Sequence, residues 1–343
     1  MKITAVGFDL AKNVFQVHGV DERGHAVVKR KLKRAQVAMF FADLPPCLVG
    51  IEACSSAHYW ARKLQGFGHQ VRLISPQFVK PYVKANKTDA ADAAAICEAV
   101  GRPDMRFVPI KCVESQALLT LHRARQGFIR ARVAQSNQIR GFLAEFGIII
   151  PQGPWNVEPR MAAILEDAEN GLPGTLRALL LQLIQHVRYL RELEGLLEAQ
   201  IKSWHESNET SRRIAEIPGI GPLTASALVA SVGDVRAFRN GRQLAAWLGL
   251  VPRQHSSGGK PHLLGISKRG DKYLRTLLTH GARAVIRVAK KKPGYAQSWL
   301  GRLLARRHVN IAVCALANHN ARVVWALLRH DRQYTPSYAA QAA

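Results

Sequence analysis

Three short apolar runs open the chain, Ile3 to Phe8, Val14 to Val20 and Ala26 to Val28, divided by turn-forming stretches that include Asp21 to Gly24. Runs of this length and separation read as a three-stranded meander. A helical stretch near Ala35 to Leu44 follows, then a strand at Leu48 to Ile51, a helix near Ala57 to Gly66 and a strand at Gln70 to Ile74. A further helix, Asp89 to Val100, stops before Gly101 and Pro103, residues that end helices by turning the backbone or removing an amide donor. Strands alternating with helices build an α/β sheet.

The order β-β-β-α-β-α-β-α is that of an RNase H-like fold. Beyond Val108 the strand signals largely vanish, and Val113 to Phe146 reads as one long helix carrying Arg123, Arg125, Arg130, Arg132 and Arg140. A Gly- and Pro-rich loop, Pro151 to Gly174, breaks it. Leu176, Leu180, Leu183, Val187, Leu190, Leu197, Ile201 and Trp204 then recur at spacings of three and four, interrupted only by Glu194. That is the pattern of a coiled coil, read first as self-association through this helix, with packing as a long helix of an intramolecular bundle as the alternative. From Arg212 onward the chain is helical again. The expected organisation is α/β followed by all-α, with a domain over 1–110, a helical coiled-coil spacer over 111–210 and a helical domain over 211–343.

Charge narrows the function. Lysine and arginine total 49 against 24 acids, a net charge of +25, which suits a polyanionic partner such as nucleic acid. Residues 251–310 hold 14 cations against one acid, Asp271, and concentrate about half of that surplus where phosphates would be met. The apolar stretches are broken by charge, and the start has no signal-peptide pattern, so a soluble cytoplasmic protein with no membrane contact is expected. Five cysteines without a CxxC pair, and histidines without metal-binding spacing, indicate neither a disulfide framework nor a zinc site.

Four acids stand at element ends: Asp9 in GFDLAK, Glu52 in IEACSSAHYWA, and Asp89 and Asp92 in KTDAADA. In an RNase H-like sheet the first and fourth strands are neighbours, which sets Asp9 beside Glu52. Asp89 and Asp92 lie three residues apart on a helix face that continues through Ile96 and Ala99, so the pair points toward the sheet. Converging carboxylates repel one another unless a cation neutralises them. Mg²⁺ prefers oxygen ligands, and two-metal phosphodiester chemistry is the natural use of such a site. Singly, each acid also reads as a turn residue or a first-turn acid favoured by the helix dipole.

Two later segments carry further candidates. Ile217 to Asp234, beginning IPGIG, resembles a helix-hairpin-helix module in which Gly219 and Gly221 let backbone amides approach a phosphate; an ordinary glycine turn is the plainer alternative. Val251 to Asp271 is a polar loop with Ser256, Ser257 and Ser267. Around Ser257, Gly258 and Gly259 permit close approach, while Arg253, Lys260, Lys268 and Arg269 suit a phosphate that a serine hydroxyl attacks. His255 is nearby without an acidic partner. Near the N-terminus, KRKLKR at Lys29 to Arg34 is explained about as well by protection of a sheet edge as by contact with RNA.

Together GFDLAK, IEACSSAHYWA, KTDAADA, IPGIG, SSGG and ISKRGD resemble the DEDD transposases of the IS110 family, in its IS1111 subgroup, over nearly the whole chain. The resemblance implies an N-terminal domain similar to RuvC Holliday-junction resolvases, a coiled-coil spacer and a C-terminal transposase domain with a nucleophilic serine. It implies Asp9, Glu52, Asp89 and Asp92 as Mg²⁺ ligands and Ser257, the serine directly before the glycine, as nucleophile. It further implies serine-linked strand exchange between donor and target DNA, a structured bridge RNA as guide, and a homo-oligomer, dimer or tetramer, whose protomers share active sites. The basic helix Val113 to Phe146, with Arg123 and Arg130, is a reasonable RNA face. The alternatives are a hydrolytic junction resolvase with the same acids and an idle serine, and a non-catalytic basic nucleic-acid-binding protein.

Overall fold

The structure is a computed structural model that describes residues 2–84, 88–153, 155–291 and 293–335. Lys87, the first residue of KTDAADA, and Lys292, one of the cations of the basic segment, lie outside the described residues. The chain divides into two compact units, Met1–Val113 with Val232–Asp234, and Glu114–Ser231 with the residues from Val235 onward.

The first unit is a six-stranded mixed sheet. Its elements are β1 (Ala5–Asp9), β2 (Val14–Val20), β3 (Ala26–Lys33), α1 (Arg34–Ala42), β4 (Leu48–Glu52), α2 (Ala57–Gly66), β5 (Gln70–Ile74), α3 (Pro76–Val79), α4 (Asp89–Val100) and β6 (Phe107–Val108). The strand order is β3-β2-β1-β4-β5-β6. The first three strands form the expected antiparallel meander, and β4 and β5 add parallel to β1, an arrangement consistent with the RNase H-like one. The strand β6, two residues long and antiparallel to β5, is too short to leave a periodic signal.

Period-two alternation assigns the two faces. Val6 and Phe8 of β1, Phe15 and Val17 of β2, and Leu32 of β3 point into a core with Val37 and Phe41 of α1 and Trp60 and Leu64 of α2. Phe8 stacks on Phe15 with ring centres 5.5 Å apart and meets Phe41 edge-on at 5.0 Å, geometries that add to the area term. The opposite face is covered by α4, whose Ala95, Ile96, Ala99 and Val100 are buried with Ile74 and Val79.

The second unit is helical apart from one hairpin. It contains α5 (Val113–Ala144), α6 (Glu158–Glu166), α7 (Gly174–Ser207), α8 (Glu209–Ala215), α9 (Pro222–Val232), α10 (Gly241–Trp247), β7 (Pro252–Ser257), β8 (Lys260–Ile266), α11 (Lys272–Ala289), α12 (Trp299–Arg306) and α13 (Val309–His330). The loop expected over Pro151 to Gly174 contains α6, and the loop expected over Val251 to Asp271 is mostly the antiparallel hairpin β7–β8.

The heptad seam of α7 is occupied within the chain. Leu180 and Val187, with Ile184, are buried against Ile139, Leu143, Ile150 and Met161, and Ile201 packs with Leu118 and Ala230. Ion pairs tie the same two long helices together, Arg125 with Glu198 at 2.7 Å and Arg132 with Glu194 at 3.0 Å. Of the two readings of the heptads, the intramolecular one describes these residues. By length and composition α13 is long and apolar enough to cross a membrane, so the expectation that charge breaks every such stretch does not hold there. Its apolar residues Ala312, Val313, Ala317 and Val324 are nevertheless buried in the protein, and its buried Asn320 donates to the carbonyl of Pro218 at 2.9 Å.

A buried histidine joins three helices of this unit. On α5, His122 shares hydrogen bonds with the hydroxyl of Tyr273 on α11 at 2.9 Å and with Ser226 on α9 at 3.1 Å. Burial, with a smaller contribution from Arg125, lowers its pKa from 6.5 to about 4. The folded protein therefore refuses a proton that the unfolded chain accepts. This contribution to stability is complete above pH 6.5 and is lost as pH falls toward 4. Urea unfolding of His122→Gln, which cannot take up that proton, should show a flatter decline over this interval than wild type, with stability at neutral pH lower by about 1–3 kcal/mol. Parallel curves would contradict the assignment.

Candidate active site

Asp9 is the last residue of β1 and Glu52 the last of β4. Because these strands run parallel in register, with Phe8 opposite Ile51, both carboxylates leave the same end of the sheet. Asp89 and Asp92 occupy the first turn of α4, which Thr88 caps by accepting from the amide of Ala91 at 3.2 Å. Their face of the helix continues into buried Ile96 and Ala99, which directs the pair at the sheet.

Two glycines permit this seating. A Cβ on Gly7 would overlap the carbonyl oxygen of Ala93, and one on Gly50 would lie 2.7 Å from Cβ of Val100. Only side-chain-free positions in β1 and β4 let α4 settle this closely.

The electrostatics register the convergence. Asp9 is half-buried, and its pKa rises to about 6 through desolvation first, then the charges of Asp92, Asp89 and Glu52, against a lowering hydrogen bond from the Leu10 amide. The same negative field acts on Cys54, whose thiol is pushed to about 11 by desolvation, Glu52 and Asp9, so it stays protonated. Among the described residues no three His, Cys, Asp or Glu side chains are drawn together tightly enough to close around an ion. The acids form an open, oxygen-only set. Such a set fits Mg²⁺, which keeps several waters and takes one or two carboxylates together with substrate phosphate oxygens.

In the second unit the serines sit at the tip of the β7–β8 hairpin. Gly258 and Gly259 have φ of 57° and 74°, the positive pair that a two-residue type I′ turn requires. Ser257 pairs with Lys260, and His255 with His262. Alternation places these four residues on one face of the ribbon, and Ser256 with Gln254 on the other. Ser256 accepts a hydrogen bond from Gln254 at 2.8 Å. Every residue of β7, Arg253 included, and Lys260 of β8 are exposed. His262 was not among the candidates read from the sequence; its signal, cross-strand pairing, appears only once the hairpin register is known.

Lys268 adopts φ of 54°, unusual for a residue with a side chain. Its amide donates to the carbonyl of Gly249 at 3.1 Å, and Arg275 donates to the carbonyls of Leu248 at 3.0 Å and Arg269 at 3.1 Å. Lys268 and Arg269 are thus presented from a braced loop. The lone acid of the basic segment, Asp271, caps α11 through the amides of Tyr273 and Leu274.

The IPGIG glycines differ in their surroundings. Gly219 is packed against Gly281 and Val285 of α11, whereas Gly221 is exposed, with open space where a Cβ would stand. The α5 arginines differ too. Arg125 and Arg132 are held by acids of α7, and Arg140 by the carbonyl of Ile150 and by Asn137. Arg123 and Arg130 are exposed, seven residues apart on one helix face.

Residues 211–297 match a family model described as "Transposase IS116/IS110/IS902 family", and residues 6–148 match the DEDD transposase model of the IS110 type. A "Probable family 20 transposase" of Pseudomonas aeruginosa is 52% identical over 337 residues, covering 98% of this chain and 100% of the relative. The transposase for insertion sequence element IS1111A of Coxiella burnetii is 45% identical, covering 97% and 91% respectively. That for IS1328 of Yersinia enterocolitica is 44% identical, covering 94% and 96%.

Replacing Gly7 by alanine should force α4 off the sheet, destabilising the protein by about 1–3 kcal/mol. Thermal unfolding checks this; a Gly7→Ala protein with wild-type melting would contradict the close-seating account.

Proposed function

Because the chain belongs to the IS116/IS110/IS902 family of transposases, we propose that it excises and inserts a mobile DNA element by cation-assisted, serine-linked strand exchange. The observation that carries this reading is the half-buried Asp9 with three further carboxylates acting on it. Asp9, Glu52, Asp89 and Asp92 would hold Mg²⁺, which when bound neutralises the acids and polarises a scissile phosphate.

Ser257 supplies the nucleophile. Its Oγ forms a bond to phosphorus as the bond to one sugar oxygen breaks; the serine proton passes to solvent, and the departing oxygen takes up a proton as a free hydroxyl end. The phosphoserine link keeps the phosphoester for rejoining to a new DNA end. Support for Ser257 over Ser256 comes from the ribbon: Ser257 shares its face with the Lys260 cation and with His255 and His262, groups suited to a phosphate, whereas Ser256 faces the other way. Arg253, Lys268 and Arg269, with exposed Gly221 and the neighbouring Gly219 turn of a helix-hairpin-helix, are assigned to the DNA backbone. Arg123 and Arg130 are assigned to a bridge RNA, the role supported by their exposure on one face of α5. The proposal includes a dimer or tetramer of a soluble protein whose copies share active sites, as the family resemblance implies.

Labelled terminal DNA incubated with protein, RNA fraction and Mg²⁺ tests the reading. Wild type should form a protein–DNA adduct. Asp9→Asn and Glu52→Gln should bind DNA and form none, and Ser257→Ala should bind but neither link nor recombine, while Ser256→Ala retains much of both activities. Cleavage without an adduct in wild type and Ser257→Ala alike would indicate a hydrolytic resolvase. Binding with no cleavage in any condition would indicate a non-catalytic protein.

A further inference from the structure

The lysines of the β3 edge form a ladder whose position in the sheet is informative. Within Lys29 to Arg34 the side chains divide between two faces. Arg30 lies over the ring of Phe40 at 5.8 Å, Leu32 is buried in the core, and Arg34, where α1 begins, lies over Trp60 at 5.5 Å. All of these are on the α1–α2 side. Lys29, Lys31 and Lys33 stand on the other face, exposed, and among the described residues none of the three is held in an ion pair.

That other face is the one bearing the acids. The register runs directly across three neighbouring strands: Asp9 of β1 is opposite Gln16 of β2, and Gln16 is opposite Lys31 of β3. Adjacent strands lie about 4.8 Å apart, so Lys31 stands two strand spacings, about 10 Å, from Asp9, with the half-buried Gln16 between them in register and α4 packed over β1 and β2 further along the same face. One step along, Gly7, His18 and Lys29 make the parallel row. Alternate residues on a strand recur about every 7 Å, an interval comparable to that between successive charges on an extended nucleic-acid strand. Charged side chains, lysine above all, protect a sheet edge; Lys29, Lys31 and Lys33 in addition share the face that bears the acids.

We propose that Lys29, Lys31 and Lys33 form a phosphate track for the DNA strand that passes through the Asp9 centre. This rests on the reading of Asp9 and its neighbours as the cleavage site. A strand with one phosphate at the acids must continue away from them, and this flank of the sheet offers it unpaired cations at matching intervals. The contacts are to the backbone and carry no sequence preference.

The test is binding of a short labelled single-stranded DNA of mixed sequence, and of RNA of the same sequence, in EDTA across a range of potassium chloride concentrations. The double variant Lys29→Ala/Lys31→Ala should lower the log–log salt slope for DNA by about 1.4, two contacts at about 0.7 each. The charge-matched double Arg30→Ala/Arg34→Ala, on the opposite face, should leave it unchanged, and Lys29→Arg/Lys31→Arg should restore it. Melting curves identify any variant that fails to fold, and the arginine pair then carries the comparison against a glutamine pair. Equal slope losses from both alanine doubles would overturn the track, as would a loss confined to RNA. In the same buffer Asp9→Asn should tighten DNA binding, because a carboxylate beside the strand is neutralised. Unchanged affinity would place the strand elsewhere and contradict the proposal without touching the role of Asp9 in cleavage, which the adduct assay reads separately.

Discussion

The close contact between α4 and the sheet is the constraint on which the site depends. Gly7 and Gly50 remove the two side chains that would hold the helix away, and burial of Ile96, Ala99 and Val100 supplies the attraction. The packing is apolar, yet its consequence is electrostatic: it carries Asp89 and Asp92 to the sheet end where Asp9 and Glu52 emerge. Desolvation first, and then the charges of Asp92, Asp89 and Glu52, raise the pKa of Asp9 and work against its ionised form in the folded state. Burial of the apolar face of α4 offsets that cost, and a cation bound among the proposed ligands would relieve it.

The remainder of the molecule is organised around the opposite charge. Arginines of α5 that face α7 are spent on ion pairs, whereas Arg123 and Arg130 stay exposed. The single acid of the basic segment is consumed as a helix cap. Lys268 and Arg269 rise from a loop fixed by backbone and guanidinium hydrogen bonds, and Ser257 is carried at the tip of an exposed ribbon. A two-stranded ribbon of this kind is only marginally stable by itself.

Much of this was legible in the residues. Apart from α3, β6 and the second half of β3, the strands and helices of the first unit followed from periodicity, and the face shared by Asp89 and Asp92 followed from their spacing with Ile96 and Ala99, because helix geometry fixes which residues share a face. The ribbon was not legible: PRQHSS has no apolar alternation, and the turn glycines alone do not declare strands. The short helix α6 was hidden inside a segment rich in turn formers. The heptads of α7 were legible as a seam, but spacing does not name the partner, and here Ile139, Leu143 and Met161 of the same chain fill that role. The Arg30/Lys31 division at the sheet edge became readable only with the register of β2 and β3. The length and composition of α13 pass a membrane-span test that its buried face answers differently.

The central claim is that Asp9, Glu52, Asp89 and Asp92 act together as one divalent-cation site. Electron paramagnetic resonance of Mn²⁺ titrated into the protein without DNA reads this directly, since bound and free ion give distinct spectra. The account predicts a Mn²⁺ signal that Mg²⁺ displaces and that weakens at least tenfold in affinity in Asp9→Asn and in Asp92→Asn, two residues that share no secondary-structure element. Wild-type affinity in both variants would contradict it.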